Sequence, residues 1–297
     1  MTSGKSNSPI VFFGTEDFSL VALRGLVEDD YDIRAVITKP DSPRGRGQKV
    51  TEPSVKTYAK EHDIPVWQPE KLSEVADDIK TIGNVTGVLV SYGKIIPQSI
   101  LDLFTPGIIN LHPSLLPTYR GPSPIESAIL HGDRETGVSI MQLSAQMDAG
   151  PVYTQEKIEL TGHETKPELY HKLGEIGTAK LLAILPQVLA GNVEALPQDD
   201  SHATYCDILS KNDGLLNPDS MNALEAERRV RAFTGFPKTR LELLNEQRII
   251  TRAHVSDVKK TPLDVMFSDG NFLSVDELVA PSGKTVSAEN FLNGYKK

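Results

Sequence analysis

The sequence is nearly devoid of cysteine, with Cys206 alone. One thiol excludes an intramolecular disulfide and any multi-cysteine metal site, and it fits a reducing compartment, read here as the cytoplasm. Long apolar runs are missing as well. None approaches the roughly 18 residues of a membrane span, so no passage through a bilayer is expected. The opening MTSGKSNSP lacks the apolar stretch of a secretory signal and reads as a polar leader. No G-x-G-x-x-G follows the first apolar run, which disfavours a nicotinamide dinucleotide. No G-x-S-x-G elbow occurs either, and Cys206 lies in a polar stretch, so a covalent hydrolase is disfavoured. Internal repeats and low-complexity tracts are also absent. What remains is ordinary globular composition over 297 residues, 39% apolar and 24% charged, with room for about two domains.

The net charge of −9 is unevenly spread. Residues 207–297 carry 13 Lys/Arg against 13 Asp/Glu, so the whole excess of acid lies in residues 1–206. An acidic body repels phosphate and argues against indiscriminate nucleic-acid binding. Two segments depart from it. Lys39 to Lys49 holds four cations and one acid, and Arg228 to Arg240 holds five cations and no acid.

Apolar runs and helical spacing alternate through the first two-thirds. Ile10 to Phe13, Ile33 to Ile37, Pro65 to Trp67, Gly87 to Val90 and Ile108 to His112 read as strands. Helical patterns lie between them, one over Ser54 to Glu61. Continuous apolar strands separated by helices predict an α/β fold, a Rossmann-like, mostly parallel sheet covered on both faces. Val138 to Leu143 and Val152 to Leu160 add strands, the second alternating like an edge or antiparallel strand. A long helix is expected over Thr165 to Ala190. These elements predict one domain over 9–192 and a polar linker over 193–206. The C-terminal domain over 207–297 is expected to be smaller, β-rich and barrel-like. It opens with a helix from Asn217-Pro218-Asp219-Ser220 to Phe233, with Asp219 or Ser220 as its N-cap.

Asn110-Leu111-His112-Pro113 is the sharpest local signal. Side chains two apart on a strand share a face, and Pro113 ends the strand just beyond them. A polar pair inside an apolar strand is costly to bury unless it is hydrogen-bonded. A second polar patch, Gln146-Met147-Asp148-Ala149-Gly150, follows the strand that ends at Leu143. An amide, an imidazole and a carboxylate at neighbouring strand ends can polarise a carbonyl and stabilise the oxyanion of acyl transfer. A histidine satisfied within the core is the plainer alternative.

Two long motifs, NLHPSLLPTYRGPSPI and TGVSIMQLSAQMDAGPV, together with IVFFGTEDFS, resemble the family of 10-formyltetrahydrofolate-dependent formyltransferases. The likeness runs over essentially residues 9–297. It is nearest to the branch whose acceptor is methionylated initiator tRNA, on the basic segment 39–49, on Leu209 to Gly214, and on the closing Ala288 to Gly294. The resemblance implies that Asn110, His112 and Asp148 are catalytic and that Ser114, Leu115, Leu116 and Pro117 contact the folate. It also implies that Arg44, Arg46 and Lys49 guide the tRNA. The cations Arg228 and Arg229 offer a second positive surface. No metal is called for, because the acceptor amine attacks the formyl carbon directly. A monomer is expected, since no long apolar surface stripe is visible. In two respects the sequence departs from the family's pattern: Phe236-Pro237-Lys238-Thr239 stands where the resemblance leads one to expect Phe-Pro-Gly-Ala, and the C-terminal domain looks shortened. An amino-sugar-nucleotide formyltransferase is the nearest rival, since it shares the trio, and a glycinamide ribonucleotide transformylase is expected to stop near residue 200. A non-catalytic nucleotide- or RNA-binding module is the rival from another class.

Overall fold

The computed structural model describes residues 8–44 and 49–294. The first stretch gives strand β1 (Ile10–Gly14), helix α1 (Asp17–Glu28), β2 (Ile33–Ile37), β3 (Ser42–Arg44), β4 (Lys49–Thr51), α2 (Ser54–Glu61) and β5 (Val66–Trp67). Then follow α3 (Ala76–Ile82), β6 (Thr86–Val90), α4 (Gln98–Leu101), β7 (Ile108–His112), α5 (Pro124–His131), β8 (Glu135–Gln142), β9 (Val152–Glu159) and α6 (Lys166–Leu189). Last come α7 (Ala223–Ala232), β10 (Arg240–Leu243), β11 (Glu246–Ser256), β12 (Val265–Met266), β13 (Phe272–Val279), β14 (Thr285–Ser287) and α8 (Ala288–Gly294). None of the helices is long and apolar enough to cross a membrane among the described residues.

Two compact units result. One takes the chain up to Pro122 together with Thr136–Ile158 and Tyr170–Cys206; the other takes Ser123–Glu135, Glu159–Leu169 and everything from Asp207. Thus α5, which lies within the first two-thirds of the sequence, groups with the C-terminal residues. Residues 193–206 run along the first unit, with Leu196 paired to Val152 and Thr204 bonded to Pro117 and Arg120.

The first unit is built on a seven-stranded sheet ordered β5-β2-β1-β6-β7-β8-β9. The pairs β2–β5, β1–β2, β1–β6 and β6–β7 are parallel, and β7–β8 is antiparallel. The predicted doubly covered sheet is therefore present. Side-chain alternation sorts the two faces. Val11, Phe13 and Ile108 pack in one core with Ile79 of α3 and Ile100 of α4. Leu111, of opposite parity, lies against Gly177 of α6, where a Cβ would come within 2.8 Å of its Cδ1. Fully burying each such Leu, Ile or Phe contributes about 1.5–3 kcal/mol. In the basic segment β3 and β4 pair as the two arms of a hairpin, with Ser42 opposite Thr51 and Arg44 opposite Lys49.

The second unit carries a five-stranded antiparallel sheet, β10-β11-β13-β12 with β14 on β13, and it curls around its own core of Leu241, Ile250, Leu263, Leu273 and Leu278. Helix α7 covers that core through Ala223, Ala226 and Val230. It begins later than the sequence predicts. Asn222 is the cap, its side chain accepting from Glu225 N at 2.8 Å while Glu225 returns a bond to Asn222 N at 2.9 Å. This reciprocal box outcompetes Asp219 and Ser220, which sit in a turn closed on Asn217.

Candidate active site

Ile108, Asn110 and His112 share one face of β7. Toward the strand's start that face is apolar core; at its carboxyl end it becomes polar, with Asn110 4% and His112 5% exposed. Pro113 ends the strand, and the next turn folds back onto β8. Ser139, opposite His112, gives its hydroxyl proton to the Ser114 carbonyl at 2.7 Å and accepts from Leu116 N at 3.0 Å. Gln155 donates to both the Leu116 carbonyl and Ser139 Oγ, at 2.8 and 2.9 Å. Of the four residues expected at the folate, Ser114 and Leu116 are consequently buried, and the Ser114 hydroxyl is turned to the Thr118 carbonyl. Leu115 and Pro117 keep partial exposure.

The structure brings His112 and Asp148 together. Asp148 Oδ2 lies 3.8 Å from His112 Nδ1, an ion-pair distance beyond hydrogen-bond reach. The ring is oriented instead by its other nitrogen: Nε2 is 2.9 Å from the Tyr119 carbonyl oxygen. A carbonyl only accepts, so Nε2 carries a proton in every charge state of the ring. It follows that Nδ1 bears hydrogen only when the ring is cationic. Asp148 is fixed from its own side, its Oδ2 accepting from Gly121 N at 2.8 Å.

Tyr119 and Asp148 both adopt left-handed backbone, with φ of 59° and 48°. Such conformations cost about 1–3 kcal/mol each and persist where the surroundings over-determine them. Gly121, at φ 119°, admits no side chain, because a Cβ would come within 2.4 Å of the Cys206 carbonyl oxygen. Cys206 itself is buried behind this turn.

The remaining expected residues are scattered. Arg44 and Lys49 are register partners on β3 and β4, and Arg46 lies outside the described residues. Asp41 and Glu52, flanking that hairpin, both bind Lys56 Nζ, at 2.7 and 3.1 Å. Arg228 and Arg229 are half-buried and turned to their own unit. Arg228 Nη1 donates to the His131 carbonyl at the end of α5, at 3.1 Å, where a helix terminus favours positive charge. Arg229 Nη1 donates to the Asp213 carbonyl at 3.0 Å, so each guanidinium gives one bond within its own unit. Sequence reasoning misses Tyr119, whose contribution is a backbone oxygen, and Arg120 and Gly121 beside it, which carry no signal of their own within the first long motif.

The family model described as "Formyl transferase" matches residues 9–185. A methionyl-tRNA formyltransferase of Sulfurihydrogenibium sp. is 35% identical over 97% of each chain. That of Methylobacillus flagellatus is 37% identical over 96% of each. Among solved structures, an N-formyltransferase of Helicobacter canadensis, complexed with folinic acid and dTDP-3-aminofucose, aligns with a TM-score of 0.68 at 16% identity. It covers 90% of this chain and 98% of its own, which speaks to the fold alone. HypX of Aquifex aeolicus with tetrahydrofolic acid aligns at 0.69 and 16% identity, over 98% of this chain and 48% of its own. This chain belongs to the formyl transferase family, in its methionyl-tRNA formyltransferase branch.

Proposed function

We propose that this enzyme moves the formyl group of 10-formyltetrahydrofolate onto the α-amine of methionyl initiator tRNA. Two observations support the reading: near-full-length similarity to proteins of that name, and the amide, imidazole and carboxylate gathered at one end of the sheet. The amine nitrogen bonds to the formyl carbon, and the carbonyl oxygen takes the negative charge. Asn110 and the Nδ1–H of a cationic His112 donate to that oxygen. Each such donor is worth about 3 kcal/mol, or about a hundredfold in rate. Asp148 balances the ring's charge and passes the amine proton, through water, toward N10 as the carbon–N10 bond breaks. The turn 114–117 contacts the folate through Leu115 and Pro117, the members that keep exposed surface. The basic segment 39–49, with Arg44, Arg46 and Lys49, engages the acceptor end of the tRNA.

The test is transfer of labelled formyl from 10-formyltetrahydrofolate to methionylated initiator tRNA, beside an amino-sugar nucleotide as acceptor. Label in the tRNA alone is expected. Label in the sugar nucleotide with none in the tRNA would reject the proposal.

A further inference from the structure

Gln198 lies in the polar stretch between the two regions of the sequence, where nothing marks it as functional. In the structure its amide has four good bonds. Oε1 accepts from Arg120 Nε at 3.1 Å and Nη2 at 2.8 Å; Nε2 donates to the carbonyls of Asp148 at 2.8 Å and Gly150 at 2.7 Å. The amide can sit only this way round. A guanidinium has donors and no acceptor, so the oxygen must face Arg120 and the nitrogen the carbonyls. Arg120 is itself immobilised: it is 2% exposed, donates to Asp200 Oδ1 at 2.6 Å and to the Tyr205 hydroxyl at 3.3 Å, and its backbone bonds Thr204 and Cys206.

The pair His112–Asp148 is thereby set by three consecutive residues. The Tyr119 carbonyl holds the imidazole, Gly121 N holds the carboxylate, and Arg120, acting through Gln198, holds the strained backbone of Asp148. Without the two N–H donors, the left-handed turn at Asp148 loses bonds that over-determine it. The carboxylate then has one anchor where it had a frame.

We propose that Gln198 is a positioning residue for formyl transfer, fixing Asp148 at its distance from His112 while touching neither substrate. The proposal rests on the catalytic reading above. Its test compares Gln198→Ala and Gln198→Glu with the parent in steady-state transfer to methionyl-tRNA, with His112→Ala alongside. The glutamate keeps an oxygen for Arg120 but removes both donors and sets its second oxygen against two carbonyls. Each Gln198 variant is expected to lose about tenfold or more in kcat, since a displacement on the order of 1 Å can cost a hundredfold. The KM for folate and for tRNA should stay within about twofold. Parent-like kcat in Gln198→Glu, while His112→Ala loses about a hundredfold, overturns the positioning role and leaves the catalytic reading standing. A rise in KM that accounts for the whole loss also overturns it. Parent-like turnover in His112→Ala rejects both.

Discussion

The imidazole of His112 is held by the backbone of Tyr119, not by the carboxylate beside it: Nε2 is 2.9 Å from the Tyr119 oxygen, whereas Nδ1 is 3.8 Å from Asp148 Oδ2. The arrangement assigns the tautomer. Nitrogen-15 NMR of the folded protein should show the neutral ring of His112 protonated at Nε2. A neutral ring protonated at Nδ1 contradicts this geometry.

The feet of the β3–β4 hairpin are joined through one lysine. The Asp41 carboxylate beside Lys56 raises the lysine's pKa, and Lys56 in turn lowers that of Asp41. Gln68 adds a bond to Asp41 at 2.8 Å. Lys56→Met is expected to splay the hairpin and raise the KM for methionyl-tRNA about threefold or more, with kcat and the folate KM unchanged. Unchanged tRNA kinetics would remove the hairpin's proposed role in orientation.

Lys238 stands at φ 69°, a left-handed conformation that glycine adopts without steric cost. Its carbonyl packs on Gly214, and its N–H bonds the Phe233 carbonyl at 3.1 Å. Lys238→Gly keeps these contacts and relieves the side-chain clash of left-handed backbone. Denaturant unfolding should show a gain of about 1 kcal/mol; a loss of stability contradicts the strain.

Burial pushes the Glu164 carboxyl up, but the Thr161 and Gly162 N–H groups and the Thr161 hydroxyl outweigh it and hold the pKa at about 2. A carboxyl depressed in the folded state contributes stability above its ordinary value of 4.5, and that contribution is lost as pH falls toward 2. The stability advantage of the parent over Glu164→Gln should therefore be larger at about pH 5 than at about pH 3. A gap that does not narrow with acid removes this account.

How much was legible follows from where each signal lives. Strands β1, β2, β6 and β7 were readable because a sheet covered on both faces demands unbroken apolar runs, and Asn110 and His112 stood out as breaches of one. The frame behind them was not readable. Tyr119 acts through a carbonyl that every residue carries, and Gln198 is one amide in a polar stretch whose role arises only when residues 78 positions apart meet. The internal bonds of Arg228 and Arg229 were hidden for a related reason: a helix with three arginines reads as a positive face, and only the tertiary fold brings a carbonyl to each guanidinium. The start of α7 was missed because four cap-forming side chains lie within six residues, and only reciprocal bonding with Glu225 selects Asn222.

The most direct test of the account is steady-state formyl transfer to methionyl-tRNA by Asn110→Ala and His112→Ala, two changes at the same strand end. Each is expected to lower kcat about a hundredfold, with the KM for both substrates nearly unchanged. A kcat within about twofold of the parent in both variants would show that the carbonyl is polarised elsewhere.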